Sequence, residues 1–241
     1  MNKTRISWTD YSWNPVSGCT PVSAGCAHCY AREWSKRWNR SFEVILHHEK
    51  LDEPQRRDKN GNYKLPSGAK VFVNSMSDLF HKDVPLTFVD AVMAMINSRP
   101  DVTFQILTKR PERAIIAFEH DYMGSFPDNV WLGVSVESEN QVDRIDMLRY
   151  SSARVRFVSF EPLLSGIPDV NLAGIGFIIV GGESGPHRRP FQLDWARDLL
   201  LQARKYGSAF WFKQISSLRP ACVDGVPDDL MIREFPEETH R

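Results

Sequence analysis

Three cysteines fall within eleven residues, Cys19, Cys26 and Cys29, in a segment that runs Gly18-Cys19-Thr20-Pro21-Val22-Ser23-Ala24-Gly25-Cys26-Ala27-His28-Cys29-Tyr30. A fourth, Cys222, stands far down the chain. Thiolates are soft ligands that suit iron–sulfur clusters and zinc. The C-x2-C pair can grip two corners of one cluster from a single turn. The six-residue loop, with Gly25 for tight backbone, lets Cys19 reach a third. Three ligands leave a four-iron cubane with one iron free for an exogenous molecule. A closed structural zinc site instead needs a fourth ligand, for which His28 and Cys222 are the candidates. His28 sits inside the C-x2-C pair, where simultaneous coordination is awkward, and Cys222 reads equally well as an ordinary small buried residue. A cluster is therefore the first expectation for Cys19, Cys26 and Cys29, and zinc the second.

Elements that could carry this segment follow from the rest of the 241 residues. Apolar residues make up 42%, enough for a core, and 30 basic side chains balance 30 acidic ones. No overall field therefore draws the chain to nucleic acid or membrane, although a local patch is allowed. No run of about 18 apolar residues occurs, so no membrane span is expected. Met1–Asp10 is polar and lacks the apolar core of a signal peptide, and a cytoplasmic location is the expectation. In that compartment clustered cysteines point to metal or redox chemistry rather than to disulfides.

Short β-branched and aromatic segments recur at Val71–Asn74, Thr103–Leu107, Val130–Val136, Val155–Phe160, Phe177–Val180 and Ala209–Phe212. Most are apolar on both faces, which suits parallel strands buried under helices. Helical spacing marks Leu86–Asn97, Glu112–Phe118, Asn140–Leu148 and Asp194–Tyr206, the last with Asp194 as N-cap and Gly207 as stop. Trp13–Val16 is a candidate first strand and Ala31–Trp38 a candidate helix. Residues 47–69 are polar and turn-rich and read as an exposed insertion. Alternation of strand and helix implies βαβ units, and about seven strands fit either an incomplete barrel or an open doubly wound sheet.

Each apolar strand delivers a polar group at its C-terminal end: Asn74-Ser75-Met76-Ser77-Asp78, then Thr108-Lys109-Arg110, Ser135-Val136-Glu137, Ser159-Phe160-Glu161, Gly181-Gly182-Glu183-Ser184-Gly185 and Lys213-Gln214. In parallel α/β folds these ends share the face where ligand sites form. Helix capping explains any one such residue, but not the recurrence at six strands. The glycine-rich stretch after the sixth strand is neither G-x-G-x-x-G nor a Walker motif and reads as a tight turn. His187, Arg188 and Arg189 behind it read as a solvated basic loop.

Taken in order, these stretches resemble a family. A three-cysteine loop after the first strand of a βα barrel resembles the radical S-adenosylmethionine (SAM) superfamily, with C-x6-C-x2-C in place of the commoner C-x3-C-x2-C. A closer similarity is to the phage-type three-cysteine proteins, themselves distantly similar to spore photoproduct lyase. It rests on Trp8-Thr9, Trp13-Asn14-Pro15, the cysteine segment, Asp78-Leu79-Phe80, Leu107 through Pro111, Trp131 through Glu137, Phe160 through Leu163, Gly181 through Gly185 and Phe212-Lys213-Gln214. The resemblance implies an α/β fold, a partial parallel (β/α) barrel of about six or seven strands, as a single domain over 1–241. It implies a [4Fe–4S] cluster on Cys19, Cys26 and Cys29, SAM on the free iron, and a 5′-deoxyadenosyl radical after one-electron reduction. Chemistry then suggests roles: Ser75, Ser77 and Asp78 for the methionine ammonium, Lys109 for its carboxylate, Ser135 and Glu137 for the ribose, and Glu161 and Glu183 for cofactor or substrate. Tyr30 is a candidate to pack on adenine. An external electron donor and an unknown substrate, with nucleic acid as one candidate, complete the expectation; a protein partner is a further one.

The competing reading is a zinc-stabilised nucleic-acid-binding protein without catalysis. It draws on Trp34-Ser35-Lys36-Arg37-Trp38-Asn39-Arg40, where tryptophan can stack on bases and arginine can meet phosphate. The same spacing also fits a helix that packs Trp34 and Trp38 against the barrel.

Overall fold

A computed structural model describes residues 1–119 and 124–237. Ten strands and five α-helices follow one another in it: β1 Asn2–Lys3, β2 Tyr11–Trp13, β3 Val16–Ser17, α1 Tyr30–Arg37, β4 Ile45–Leu46, β5 Lys70–Val73, α2 Leu86–Asn97, β6 Thr103–Thr108, α3 Pro111–Glu119, β7 Val130–Ser135, α4 Asp143–Arg149, β8 Val155–Phe160, β9 Phe177–Gly181, α5 Leu193–Tyr206 and β10 Ala209–Gln214. The eight-stranded sheet has the order β1-β2-β5-β6-β7-β8-β9-β10. Only β1 runs antiparallel, against β2; every later neighbour is parallel. Because spatial order follows chain order, the sheet winds one way and curls into a half barrel, not the doubly wound alternative.

Both faces of the strands are apolar for different reasons. On the convex face Val71, Val73, Phe104, Ile106, Leu132, Val134, Val158 and Ile178 pack against Val89, Val92, Ile96, Ile145, Leu148 and Leu199 from the helices. On the concave face alternate residues of the same strands, Phe72, Trp131, Phe157, Phe177, Ile179 and Trp211, gather around Trp8. The period of two along each strand thus separates an aliphatic layer from an aromatic one.

The first expected strand is split. Tyr11–Trp13 pairs with Val71–Val73, and Val16–Ser17 turns away to pair antiparallel with Ile45–Leu46. Pro15 has no N–H to give the ladder, so pairing breaks there; its carbonyl accepts instead from His47 N at 2.8 Å. The expected N-cap of α5 also moves. Gln192 occupies that position without a side-chain cap, and Asp194 lies in the first turn, where a carboxylate still favours the helix dipole, paired with Arg197 at 2.8 Å. Gly207 ends the helix in the left-handed region, φ 71°, as expected of a stop glycine. The helix expected over Asn140–Leu148 is a 3-10 turn, Glu139–Gln141, followed by α4.

Lys213 and Gln214 belong to the last strand, which bulges between Phe212 and Gln214. The outer margin of β10 is covered by chain: Phe212 N donates to Ile232 O at 2.8 Å and Glu234 N to Phe210 O at 2.9 Å. Within 47–69, Leu65 is fully buried and its carbonyl accepts from the buried Arg99 at 3.0 Å. No helix among the described residues is long and apolar enough to cross a membrane.

Candidate functional site

The cysteine segment crosses the C-terminal mouth of the half barrel. Gly18 has φ +81°, and a Cβ there would stand 1.9 Å from the carbonyl oxygen of Glu43. Glycine is thus required where the chain enters the loop. Cys19 N then donates to Phe42 O at 3.2 Å. A 3-10 turn, Ala24–Cys26, presents the second cysteine, and Cys29 caps the N-terminus of α1. Gly25 rests on Glu137, whose Cγ would be 2.4 Å from an added Cβ. Ser23 Oγ donates to Glu137 Oε1 at 2.8 Å.

All three thiols are free, half-buried, and line one cavity of about 450 Å³. Burial and the charge of Asp78 push Cys19 up, partly offset by Arg110, whose Nη1 lies 3.6 Å from Sγ. Burial also works against the Cys26 thiolate, but hydrogen bonds from the backbone at Val22 and Ser23, with Lys109 nearby, hold its pKa below the ordinary thiol value. A thiolate so favoured is a ready metal donor. Among the described residues, no three His, Cys, Asp or Glu side chains are grouped as ligands of a single ion. A cubane takes each thiolate on a different iron, so its ligands stand farther apart than those of one ion. The donor set, three soft thiols on one cavity wall, fits a cluster.

The residues expected around the cofactor are brought together with one exception. Ser75, Ser77, Asp78, Lys109, Ser135, Glu161 and Glu183 all line the cavity with the cysteines. Glu137 does not: it is fully buried beneath the cysteine loop, where it holds Ser23, Lys109 and, at 3.1 Å, Arg144. Several of the others already have partners. Ser75 Oγ donates to Asn14 Oδ1 at 3.1 Å and Ser77 Oγ to Val16 O at 2.8 Å. Asp78 accepts from Thr108 Oγ1 at 2.8 Å, Lys109 N at 3.1 Å and Arg110 Nη1 at 2.8 Å. Glu161 pairs with Lys213 at 2.5 Å, the residue that the strand bulge re-aims. Glu183 pairs with Arg189 and with His28 Nδ1 at 3.3 Å; burial opposes its charge, but Arg189 more than compensates and holds its pKa below the usual carboxylate range. Arg110 and Arg189 therefore turn inward to carboxylates instead of lying in solvent. Tyr30 lies on the cavity rim, half exposed, its hydroxyl donating to Ser75 O.

The far wall, Thr4 through Trp8, was not expected at the site. Asn74 and Ser159, expected only as polar strand ends, line the same cavity. Trp8 Nε1, Asn74 Nδ2 and Ser159 Oγ are buried without a hydrogen-bond partner among the described residues. Unpaired buried polar atoms cost free energy, and cavities that bind ligands are where native proteins tolerate them. For Thr4 through Trp8 the sequence signal was a tryptophan in a polar segment, Trp8. Arg144 could not have been found either, since it reaches Glu137 from α4.

Residues 3–240 match the model of a family described as "Protein of unknown function (DUF5131)". The chain belongs to this family. No curated protein matches this DUF5131 chain. Solved structures do: a spore photoproduct lyase variant superposes with a TM-score of 0.56 at 12% identity, covering 88% of this chain and 78% of that one. A second variant gives 0.57 at 11% identity with the same coverage. A third, with bound AdoMet and dinucleoside spore photoproduct, gives 0.51 at 13% identity and covers 85% of this chain and 64% of that one. At such identities the likeness establishes the fold. It is the partial parallel (β/α) barrel that the sequence resemblance implied.

Proposed function

We propose that this DUF5131 protein is a radical SAM enzyme of the phage-type three-cysteine group. Cys19, Cys26 and Cys29 would hold a [4Fe–4S] cluster, with SAM on the remaining iron. The observation that carries this reading is the convergence of three free thiols and the polar ends of the parallel strands on one cavity. When bound, such a cluster would supply one electron, taken from an external donor, for cleavage of the S–C5′ bond of SAM to methionine and a 5′-deoxyadenosyl radical. The chain's own groups do the rest. Lys109 and Arg110 place positive charge beside Cys26 and Cys19 and favour their thiolates. Ser75, Ser135, Glu161 and Glu183 offer hydroxyl and carboxylate partners to the ammonium and ribose of SAM. Asn74 and Ser159 supply the unpaired donors. Trp8, Phe72 and Leu107 keep the inner wall dry, which protects a radical from solvent. Asp78 and Glu137 act from behind, by fixing Arg110 and the cysteine loop.

Anaerobic reconstitution with iron and sulfide tests the reading. The expected result is a reduced cluster whose electron paramagnetic resonance changes on adding SAM, with release of 5′-deoxyadenosine. Cys26→Ala is expected to lose the iron, and Cys222→Ala to keep it. Zinc without acid-labile sulfide, or equal iron loss in both variants, defeats the proposal.

A further inference from the structure

The helix that follows the cysteines faces the wrong way for an ordinary amphipathic helix. Tyr30, Trp34 and Trp38 recur every four residues and so share one face, about 6 Å apart along the axis. That face is outside: the three residues are 54%, 44% and 59% exposed. The buried residues of α1 are Ala31 and Ser35. The helix therefore docks through its small residues and shows its aromatic stripe to solvent. A stripe of this kind on a protein surface marks a partner site.

The surrounding charge says what kind of partner. Arg32, Lys36 and Arg37 lie within α1, and Arg40 follows it with its guanidinium 5.1 Å from the Trp34 ring centroid. The one acid in the helix, Glu33, is taken up by Lys36 at 2.8 Å. Trp34 and Trp38 stand 6.3 Å apart with their planes at 50°. The loop after β9 adds His187, 6.0 Å from His28, and Arg188. An apolar protein surface would offer Arg37 and Arg40 no counter-charge. A polyanion with flat, stackable groups satisfies both the rings and the charges. The stripe also starts at Tyr30, which lines the cavity, and leads away from its mouth.

We infer that α1 and the turn to Arg40 form a stacking platform for single-stranded nucleic acid, with Trp34 and Trp38 against bases and Arg37 and Arg40 on phosphates, leading to the cavity beside the cysteines. This names a substrate class for the proposed enzyme. It rests on the site's position, but not on its cofactor chemistry.

Fluorescence anisotropy of a labelled oligothymidylate, titrated with the full-length protein at low salt, tests it. Binding is expected. Trp34→Ala and Trp38→Ala should each weaken it about fivefold or more, and the Phe variants should retain most of it, because a ring is what stacks. Arg37→Ala and Arg40→Ala should each flatten the dependence of log affinity on log salt by about 0.7. Absence of binding, equal binding by the Trp34→Ala/Trp38→Ala double variant, or stronger capture by phosphatidylserine vesicles overturns the inference. SAM cleavage is read separately. Cleavage without oligonucleotide binding sinks the platform alone, and binding without cleavage sinks the radical reading alone.

Discussion

Helices α5 and α1 are both amphipathic, and they are held in opposite ways. Over its 14 residues α5 turns Ala196, Leu199 and Ala203 into the aliphatic layer, so its own apolar side chains fasten it. The eight-residue α1 buries only Ala31 and Ser35. Such a short helix is marginal by itself. Its position is set by the segment before it: Ser23 and Gly25 on Glu137, Ala24 O accepting from Arg189 at 3.0 Å, and Tyr30 on Ser75. Burial fastens the scaffold, while hydrogen bonds and ion pairs fasten the site. Spacing along a helix tells which residues share a face, but not which way that face turns.

The sharpest way to break the contrast is Glu137→Ala. It leaves Lys109 and Arg144 facing each other without their carboxylate, and breaking a buried pair costs about 3–5 kcal/mol. Denaturant unfolding should show that loss, and the thiols of Cys19 and Cys26 should become more reactive as the loop detaches. Next is Leu199→Ala, expected to cost about 2–5 kcal/mol through the cavity it opens under α5. The control in α1, Trp34→Ala, should stay within about 0.5 kcal/mol, because the ring is exposed. An equal loss in both would mean that α1 is fastened by its aromatic stripe after all. The finest distinction is in pH. Glu183 has a lowered folded pKa, so its pair with Arg189 stabilises above the ordinary carboxylate range and fades as pH falls through the lowered value. Thermal scans in acid should show wild type losing more stability than Glu183→Gln, with the two curves parallel near neutrality.

Much of the fold was legible because the strands are apolar on both faces and end in polar residues, as at Thr103–Thr108 with Lys109 or Val130–Ser135 with Glu137. The cysteine spacing marked the loop. What the sequence hid was pairing across distance. Nothing near Glu137 announces Arg144 from the next helix or Ser23 from 114 positions upstream. Carboxylates expected to meet a ligand turned out to be partly spent on cations of the same chain, since a buried charge must be compensated wherever a partner is available. Trp34 and Trp38 were open to two readings because orientation depends on what Ala31 and Ser35 touch.

The covering of both margins of the sheet has a consequence for its shape. A closed barrel of eight strands fills its own middle with side chains. Here the antiparallel Asn2–Lys3 lies along one border and the Ile232–Glu234 stretch along the other. Each border has a guard of its own, so β2 and β10 have no need to meet, and raw strand edges are not left to recruit neighbouring molecules.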